Sequence, residues 1–276
     1  MKQVKERARG IVRSNREVAP EHRVVRIELP RTFAVATPGQ FVMIRTPGAD
    51  SPLLPRPFSI YSRDEGEGTQ WIDLLYRVVG EGTQQLASRG NGDGIDVLGP
   101  LGKGFRIDPG LRRMVLVAGG AGVAPLNFLA EYCRRNDVDR EREIWAYLGA
   151  RTAGLLAGLD RIEAVCDRVL VATDDGSRGC RGMVTDCFRN DLPSLARDGS
   201  DVYACGPGPM MKTLAELSER AGLQCQVSVE ERMACGFGVC RGCAVKVRPA
   251  DPEPRYRPVC TDGPVFDARD IDWDDS

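Results

Sequence analysis

The chain has 276 residues, a net charge of −1 and ordinary hydrophobic (42%) and charged (28%) fractions; that is room for about two domains and a small appendage, with no excess of basic charge for nucleic acid or an anionic membrane. His22 is the only histidine, too little imidazole for a zinc enzyme, a Ser-His-Asp hydrolase or most acid–base enzymes, so the hard chemistry is expected from cofactors. The basic opening MKQVKERARG has no apolar segment behind it and no stretch is long enough to span a membrane, so a soluble cytoplasmic protein is expected, in which ten cysteines would not pair as disulfides.

Residues 1–108 read as short strands bounded by Gly, Pro, Asp or Asn: 22–29, 39–46, 57–62, 71–79 and 94–99. Such spacing predicts an antiparallel barrel or sandwich. One short helix is expected over 82–90, opened by Thr83. Within RPFSIYS, Arg56 offers a guanidinium to a diphosphate, and Ser59 offers a hydroxyl to a flavin edge. Gly82 and Thr83, at a helix start, form a seat for the second half of a diphosphate. The plainer alternative makes Arg56 a surface charge and Tyr76 a core aromatic.

Residues 109–224 change texture. Apolar strands, glycine-rich turns and amphipathic helices alternate, which predicts an open parallel α/β sheet with ligands at the carboxyl ends of its strands. VLVAGGAGVAPL places Gly119, Gly120 and Gly122 between a strand and a helix, where a dinucleotide diphosphate could approach backbone amides. Tight strand–helix packing selects glycine as well. YACGPGPMM ends a later strand at Cys205, with a core cysteine as the plain reading. LGARTAGLL has only Arg151 for a 2′-phosphate, which favours NAD over NADP.

Residues 225–276 hold a cysteine run, Cys235-x4-Cys240-x2-Cys243-x16-Cys260. This is the plant-type [2Fe–2S] spacing, three thiolates from one tight loop and a fourth from a distant segment. Gly236, Gly238 and Gly242 permit the close turns this requires. A zinc site, the alternative metal centre, usually shows paired knuckles. Cys133, Cys166 and Cys187 fall on helical patterns and Cys225 in a strand, as small apolar core residues do.

RPFSI, then GEGT, then GPLGKGF resemble the ferredoxin-NADP reductase superfamily. The resemblance implies that Arg56, Pro57, Phe58 and Ser59 meet the isoalloxazine and diphosphate of FAD. It implies likewise that Leu75, Tyr76 and Arg77 line the flavin, that Gly82 and Thr83 bind the diphosphate, and that Cys205 sits beside the nicotinamide as the catalytic-site contact. The tail, with ERMACGFGVCRGC and VCTDGPVF, resembles the family of electron-transfer subunits of NAD-dependent dihydroorotate dehydrogenase B. A related subunit, from the electron-bifurcating NADH-dependent ferredoxin:NADP reductase, usually carries Asp where this chain has Cys235. The resemblance implies FAD, a [2Fe–2S] cluster and NAD as substrate. It also implies an FMN-containing catalytic partner subunit in a heterotetramer, in pyrimidine biosynthesis. The alternative is a reductase component using NAD(P)H to serve an oxygenase or a ferredoxin-type acceptor.

Overall fold

The computed structural model describes residues 6–48, 53–136, 142–197, 199–248 and 255–274. Seven strands come first: β1 (Glu6–Ala19), β2 (His22–Pro30), β3 (Phe41–Arg45), β4 (Arg56–Ser59), β5 (Ser62–Glu65), β6 (Thr69–Arg77) and β7 (Gly94–Leu101). They form one antiparallel sheet in the order β4-β3-β7-β1-β2-β6-β5, and helix α1 (Glu81–Ala87) joins β6 to β7. The run expected as one strand over 57–62 is two. After Ser59 the chain turns through buried Ile60 and Tyr61, whose amides donate to the carbonyls of Gln40 (3.2 Å) and Asp73 (2.8 Å). It thereby crosses from one edge of the sheet to the other, and this step curls the sheet around Val25, Ile27, Leu29, Ile44, Ile72 and Leu74.

The longest strand, β1, lies outside the expected elements. Its sequence ERARGIVRSNREVA is dominated by charge, but it pairs with β7 on one side and β2 on the other. Backbone ladders on both edges and burial of Gly10 and Val12 on one face are enough to hold it as a strand.

The second sheet follows the expected alternation. Strand β8 (Arg113–Gly119) leads through a single 3-10 turn to α2 (Val123–Asn136). Then come β9 (Glu143–Ala150), α3 (Leu159–Val165), β10 (Arg168–Thr173), β11 (Cys180–Arg181), α4 (Val184–Arg197), β12 (Ser200–Cys205), α5 (Gly208–Arg220) and β13 (Gln224–Ser228). Two apolar clusters cover its faces: Val115, Val117, Val202 and Ala204 point to one, Leu116, Ala118, Tyr203 and Cys205 to the other.

The tail adds a hairpin of β14 (Ala244–Lys246) and β15 (Tyr256–Pro258), helix α6 (Val259–Asp262) and β16 (Val265–Asp267). The expected boundary between 224 and 225 falls at the start of β13, a strand of the parallel sheet, and β16 pairs antiparallel with β13 at the sheet edge. Its third module is therefore built onto the second sheet. It also touches the barrel, since a Cβ on Gly102 would lie 2.4 Å from Pro264 Cδ.

Barrel and α/β domain meet through a buried carboxylate. Asp73 of β6 accepts from Arg26 of β2 at 2.7 and 2.9 Å and from Arg161 of α3 at 2.8 Å. Ser62 donates to Glu131 of α2 at 2.6 Å, and Asn127 Nδ2 donates to the Tyr61 carbonyl at 3.1 Å. These bonds seat α2 and α3 against the barrel.

Candidate cofactor sites

A cleft of about 1150 Å³ opens at the barrel wall. Arg56, Pro57, Phe58 and Ser59 line it from β4, Leu75, Tyr76 and Arg77 from β6, and Gly82 and Thr83 from α1. The register explains the convergence: β4 runs antiparallel to β3 with Phe41 opposite Ser59 and Met43 opposite Pro57. A Cβ on Gly82 would lie 3.1 Å from Arg56 Nε, so the absent side chain makes room for the guanidinium over the start of α1. Thr83 Oγ1 is engaged locally, accepting from the amides of Val79 (2.9 Å) and Gly80 (3.1 Å) and donating to the Gly80 carbonyl (2.8 Å). It shapes the turn. Phe58 and Tyr76 pack edge to face at 5.7 Å. The Tyr76 hydroxyl donates to Asn15 Oδ1 at 3.0 Å, and Asn15 Nδ2 in turn reaches the Leu86 carbonyl at 2.8 Å. Burial raises the Tyr76 phenol despite this bond. A cationic group, an aromatic wall and a vacated Cβ position fit a flavin dinucleotide.

A second cleft of about 660 Å³ lies at the carboxyl ends of the parallel strands, lined by Gly119, Gly120 and Gly122 and by the loop after β12. The three glycines differ. A Cβ on Gly122 would meet the Cys205 carbonyl oxygen at 2.1 Å, and one on Gly119 would meet Pro207 Cδ at 2.7 Å. Both glycines allow two loops to touch, as the packing alternative anticipates. Gly120 has φ +54° and open space around its missing Cβ, which leaves backbone exposed to a ligand.

Cys205 requires a correction. Its side chain is fully buried and lines neither cleft. Strand alternation turns it with Tyr203 into the cluster beneath α2, and burial drives the thiol well above its ordinary value. Its carbonyl packs against Gly122, which holds the loop after β12 against the glycine turn.

Arg77, Ala121 and Glu230 line both clefts, so the two meet there. Glu230 is absent from the sequence expectations. It is accessible along the cleft walls yet surrounded by protein, and the loss of hydration raises its carboxyl. Its one sequence signal was position: it lies two residues past β13, at the carboxyl end of a parallel strand.

The cysteine loop sits beside the first cleft. Cys243 and Cys260 are buried, Cys235 is half-buried and Cys240 exposed. Backbone amides point at the sulfurs: Cys240 N lies 3.5 Å from Cys235 Sγ, and Gly242 N lies 3.5 Å from Cys240 Sγ. Desolvation raises the Cys235 thiol, but amide hydrogen bonds from Cys240, Phe237 and Val239 outweigh it and bring it down to about 6. Cys260 is pushed up to about 12 by desolvation and by Cys243 beside it, and it also feels Cys235. Among the described residues no three Cys, His, Asp or Glu side chains converge as ligands of a single metal ion. Four thiols from one tight loop and α6, with amides aimed at sulfur, supply the donor set of an iron–sulfur cluster.

Comparison with known proteins agrees with this division. Residues 9–105 match an oxidoreductase FAD-binding domain, residues 116–216 an oxidoreductase NAD-binding domain, and residues 230–272 the iron-sulfur cluster binding domain of dihydroorotate dehydrogenase B. The dihydroorotate dehydrogenase B (NAD(+)) electron transfer subunit of Caldanaerobacter subterraneus subsp. tengcongensis is 39% identical over 94% of this chain and 96% of its own. That of Desulforamulus reducens is 36% identical over 93% and 95%. Among solved structures, an NADH-dependent reduced ferredoxin-NADP oxidoreductase superposes with a TM-score of 0.80 at 30% identity, over 96% of this chain and 90% of that one. Similarity at this level, along nearly the full length and through all three cofactor modules, means that the chain belongs to the family of electron transfer subunits of NAD(+)-dependent dihydroorotate dehydrogenase B.

Proposed function

We propose that the chain connects a dihydroorotate-oxidising, FMN-containing subunit to NAD+, in a cytoplasmic heterotetramer. Electrons enter at the thiolate loop and leave in the nucleotide cleft. The observation that carries this reading is contiguity. A Cβ on Gly236 of the loop would lie 2.5 Å from Met43 Cγ of the barrel, Met233 and Pro264 line the flavin cleft, and that cleft opens into the nucleotide cleft at Arg77, Ala121 and Glu230. The three sites therefore stand in series. When bound, FAD exchanges a hydride with the nucleotide and single electrons with the cluster, which is why its site belongs in the middle.

The residues divide the work by chemistry. Cys235, Cys240, Cys243 and Cys260 ligate iron, with the loop amides holding charge at sulfur. Arg56 neutralises the FAD diphosphate, and the turn at Gly82 and Thr83 receives its other half. Pro57, Phe58, Leu75 and Tyr76 wall the ring and exclude water, Ser59 presents a hydroxyl to its edge, and Arg77 closes its end nearest the nucleotide. Gly120 gives the nucleotide access to backbone, and Gly119 and Gly122 let the Cys205 loop close against it. Phe237 and Val239 are exposed on the thiolate loop beside Cys240, the side on which the partner subunit would dock.

The test is anaerobic. Dihydroorotate is mixed with the cofactor-loaded chain, with and without the FMN subunit, and flavin absorbance is followed. Bleaching only in the presence of that subunit is expected, whereas NADH should bleach the flavin in either case. A reductase role toward a ferredoxin-type acceptor or an oxygenase is favoured by the likeness to the ferredoxin-NADP oxidoreductase. It predicts NADH-driven reduction of ferredoxin without the FMN subunit, and that result with no response to dihydroorotate would replace the first reading.

A further inference from the structure

The only histidine of the chain lies in the second cleft. His22 follows the β1–β2 turn, opposite Ala19 on β1 and opposite Arg77 on β6. The turn is held firmly. Glu21 adopts φ +61°, a left-handed conformation that a non-glycine residue enters at a cost of about 1 kcal/mol. Its carbonyl accepts from Val78 N at 2.7 Å, and its carboxylate accepts from Arg77 at 2.8 and 3.0 Å. These contacts bring a barrel turn to the wall of the α/β cleft.

His22 is 5% exposed. Nδ1 lies 2.8 Å from the Pro20 carbonyl oxygen. A carbonyl only accepts, so Nδ1 carries the proton, and in the neutral ring Nε2 is left as an acceptor. Among the described residues no second hydrogen bond engages the ring. Nε2 is not one of the buried side-chain atoms without a partner, so its lone pair faces accessible space, and the side chain lines the second cleft. Glu21 also feels the charge of Arg151, which directly follows β9 and lines the same cleft. In a β-α-β unit such as β8-α2-β9, the adenosine ribose lies at the end of the second strand. His22 therefore belongs with the ADP-ribose half of the nucleotide.

We propose that His22 is a nucleotide-binding residue contributed by the flavin barrel, its Nε2 accepting a hydrogen bond from a ribose hydroxyl of the ADP-ribose moiety. The proposal rests on reading the second cleft as the NAD site. It gives the barrel a direct hold on the nucleotide, so that the two domains grip one ligand.

The experiment titrates the full chain, loaded with FAD and cluster, with NAD+ and separately with ADP-ribose. His22→Phe keeps a ring but cannot accept, and His22→Gln restores an acceptor near the position of Nε2; His22→Ala replaces the Phe variant if that one loses its FAD. The Phe variant should bind both ligands about three- to tenfold more weakly with unchanged flavin content, and the Gln variant should recover most of the loss. Unchanged affinity in the Phe variant overturns the proposal. So does an equal loss in Phe and Gln, which would mark a packing role, or a loss confined to NAD+, which would place the contact on the nicotinamide half. If the wild-type chain binds neither ligand, the assignment of the cleft fails, and the His22 contact with it.

Discussion

Gly236 of the thiolate loop lies so close to Met43 of β3 that a methyl group on it would sit 2.5 Å from Met43 Cγ and 2.9 Å from Sδ. Its φ of +78° is a second constraint, because side chains are disfavoured there. Strand β3 is also the strand that positions β4, so the loop and the flavin wall share a support. Gly236→Ala is expected to cost about 1–3 kcal/mol and to lower iron and acid-labile sulfide per chain while FAD content holds. Adding Met43→Ala removes the clash but keeps the backbone penalty, so recovery should be partial. Full iron content in Gly236→Ala would show that the contact does not position the loop.

That contact also marks where sequence reasoning stops. The cysteine spacing is legible because ligands on one tight loop are constrained locally. The strand–glycine–helix unit at 115–126 is legible because an apolar run, small residues and an amphipathic face follow one another along the chain. Met43 and Asn15 carry no such mark, since each matters through what a distant segment places beside it, and Glu230 carries only its place just past a strand. Strand β1 was hidden for a related reason. Arg7, Arg9, Arg13 and Arg16 face outward from a strand whose stability lies in its two ladders, so its side chains look like a solvated segment. Cys205 misleads in the opposite direction: the loop is in place, but the alternation of β12 points its thiol inward.

The two glycines flanking Ala121 separate packing from ligand access. Gly122→Ala would drive a methyl group into the Cys205 backbone, 2.1 Å from its carbonyl oxygen, where no flexible side chain can yield. Nucleotide binding should be lost while FAD stays bound. Gly120→Ala meets open space and only the strain of φ +54°, so about 1 kcal/mol of stability and a modest rise in the NAD+ dissociation constant are expected. Calorimetric titration of both variants checks the order; a milder effect at Gly122 than at Gly120 would contradict the packing account.

Glu230 sets a pH dependence. Loss of hydration between the cleft walls raises its carboxyl, so the folded chain holds a proton there more readily than the unfolded chain. The stabilising contribution is complete below the unfolded value near 4.3 and is lost as pH rises through the raised folded value. Glu230→Gln stays neutral throughout. Its melting temperature should therefore exceed that of wild type by a margin that opens above the unfolded value near 4.3, grows as pH rises, and levels off once pH has passed the raised folded value. Thermal scans at constant ionic strength read this margin; one that shrinks with rising pH would mean that a partner stabilises the carboxylate.

Asp73 couples the domains. Its carboxylate is 3% exposed and accepts from Arg26 and Arg161, whose side chains are 40% and 24% exposed. Asp73→Asn preserves shape but leaves Arg26 without its ion-pair partner and Arg161 with only Glu131, 3.7 Å away. Breaking a fully buried pair costs about 3–5 kcal/mol, and because these arginines reach water, about 2–3 kcal/mol is expected. Arg161→Met leaves Asp73 paired with Arg26 but removes the cross-domain bond, the ion pair to Glu131 (3.7 Å) and the guanidinium packed over the Tyr61 ring (4.9 Å), and should cost about 1–2 kcal/mol. Because both changes touch one network, the double variant should lose less than the sum. Arg161→Met should also slow flavin reduction by NADH without reducing FAD content or NAD+ affinity, since it frees α3 from the barrel and leaves both clefts chemically intact. Stopped-flow reduction together with thermal unfolding tests this. An unchanged reduction rate at a lowered melting temperature would confine the Asp73–Arg161 bond to stability and remove it from the alignment of the two sites.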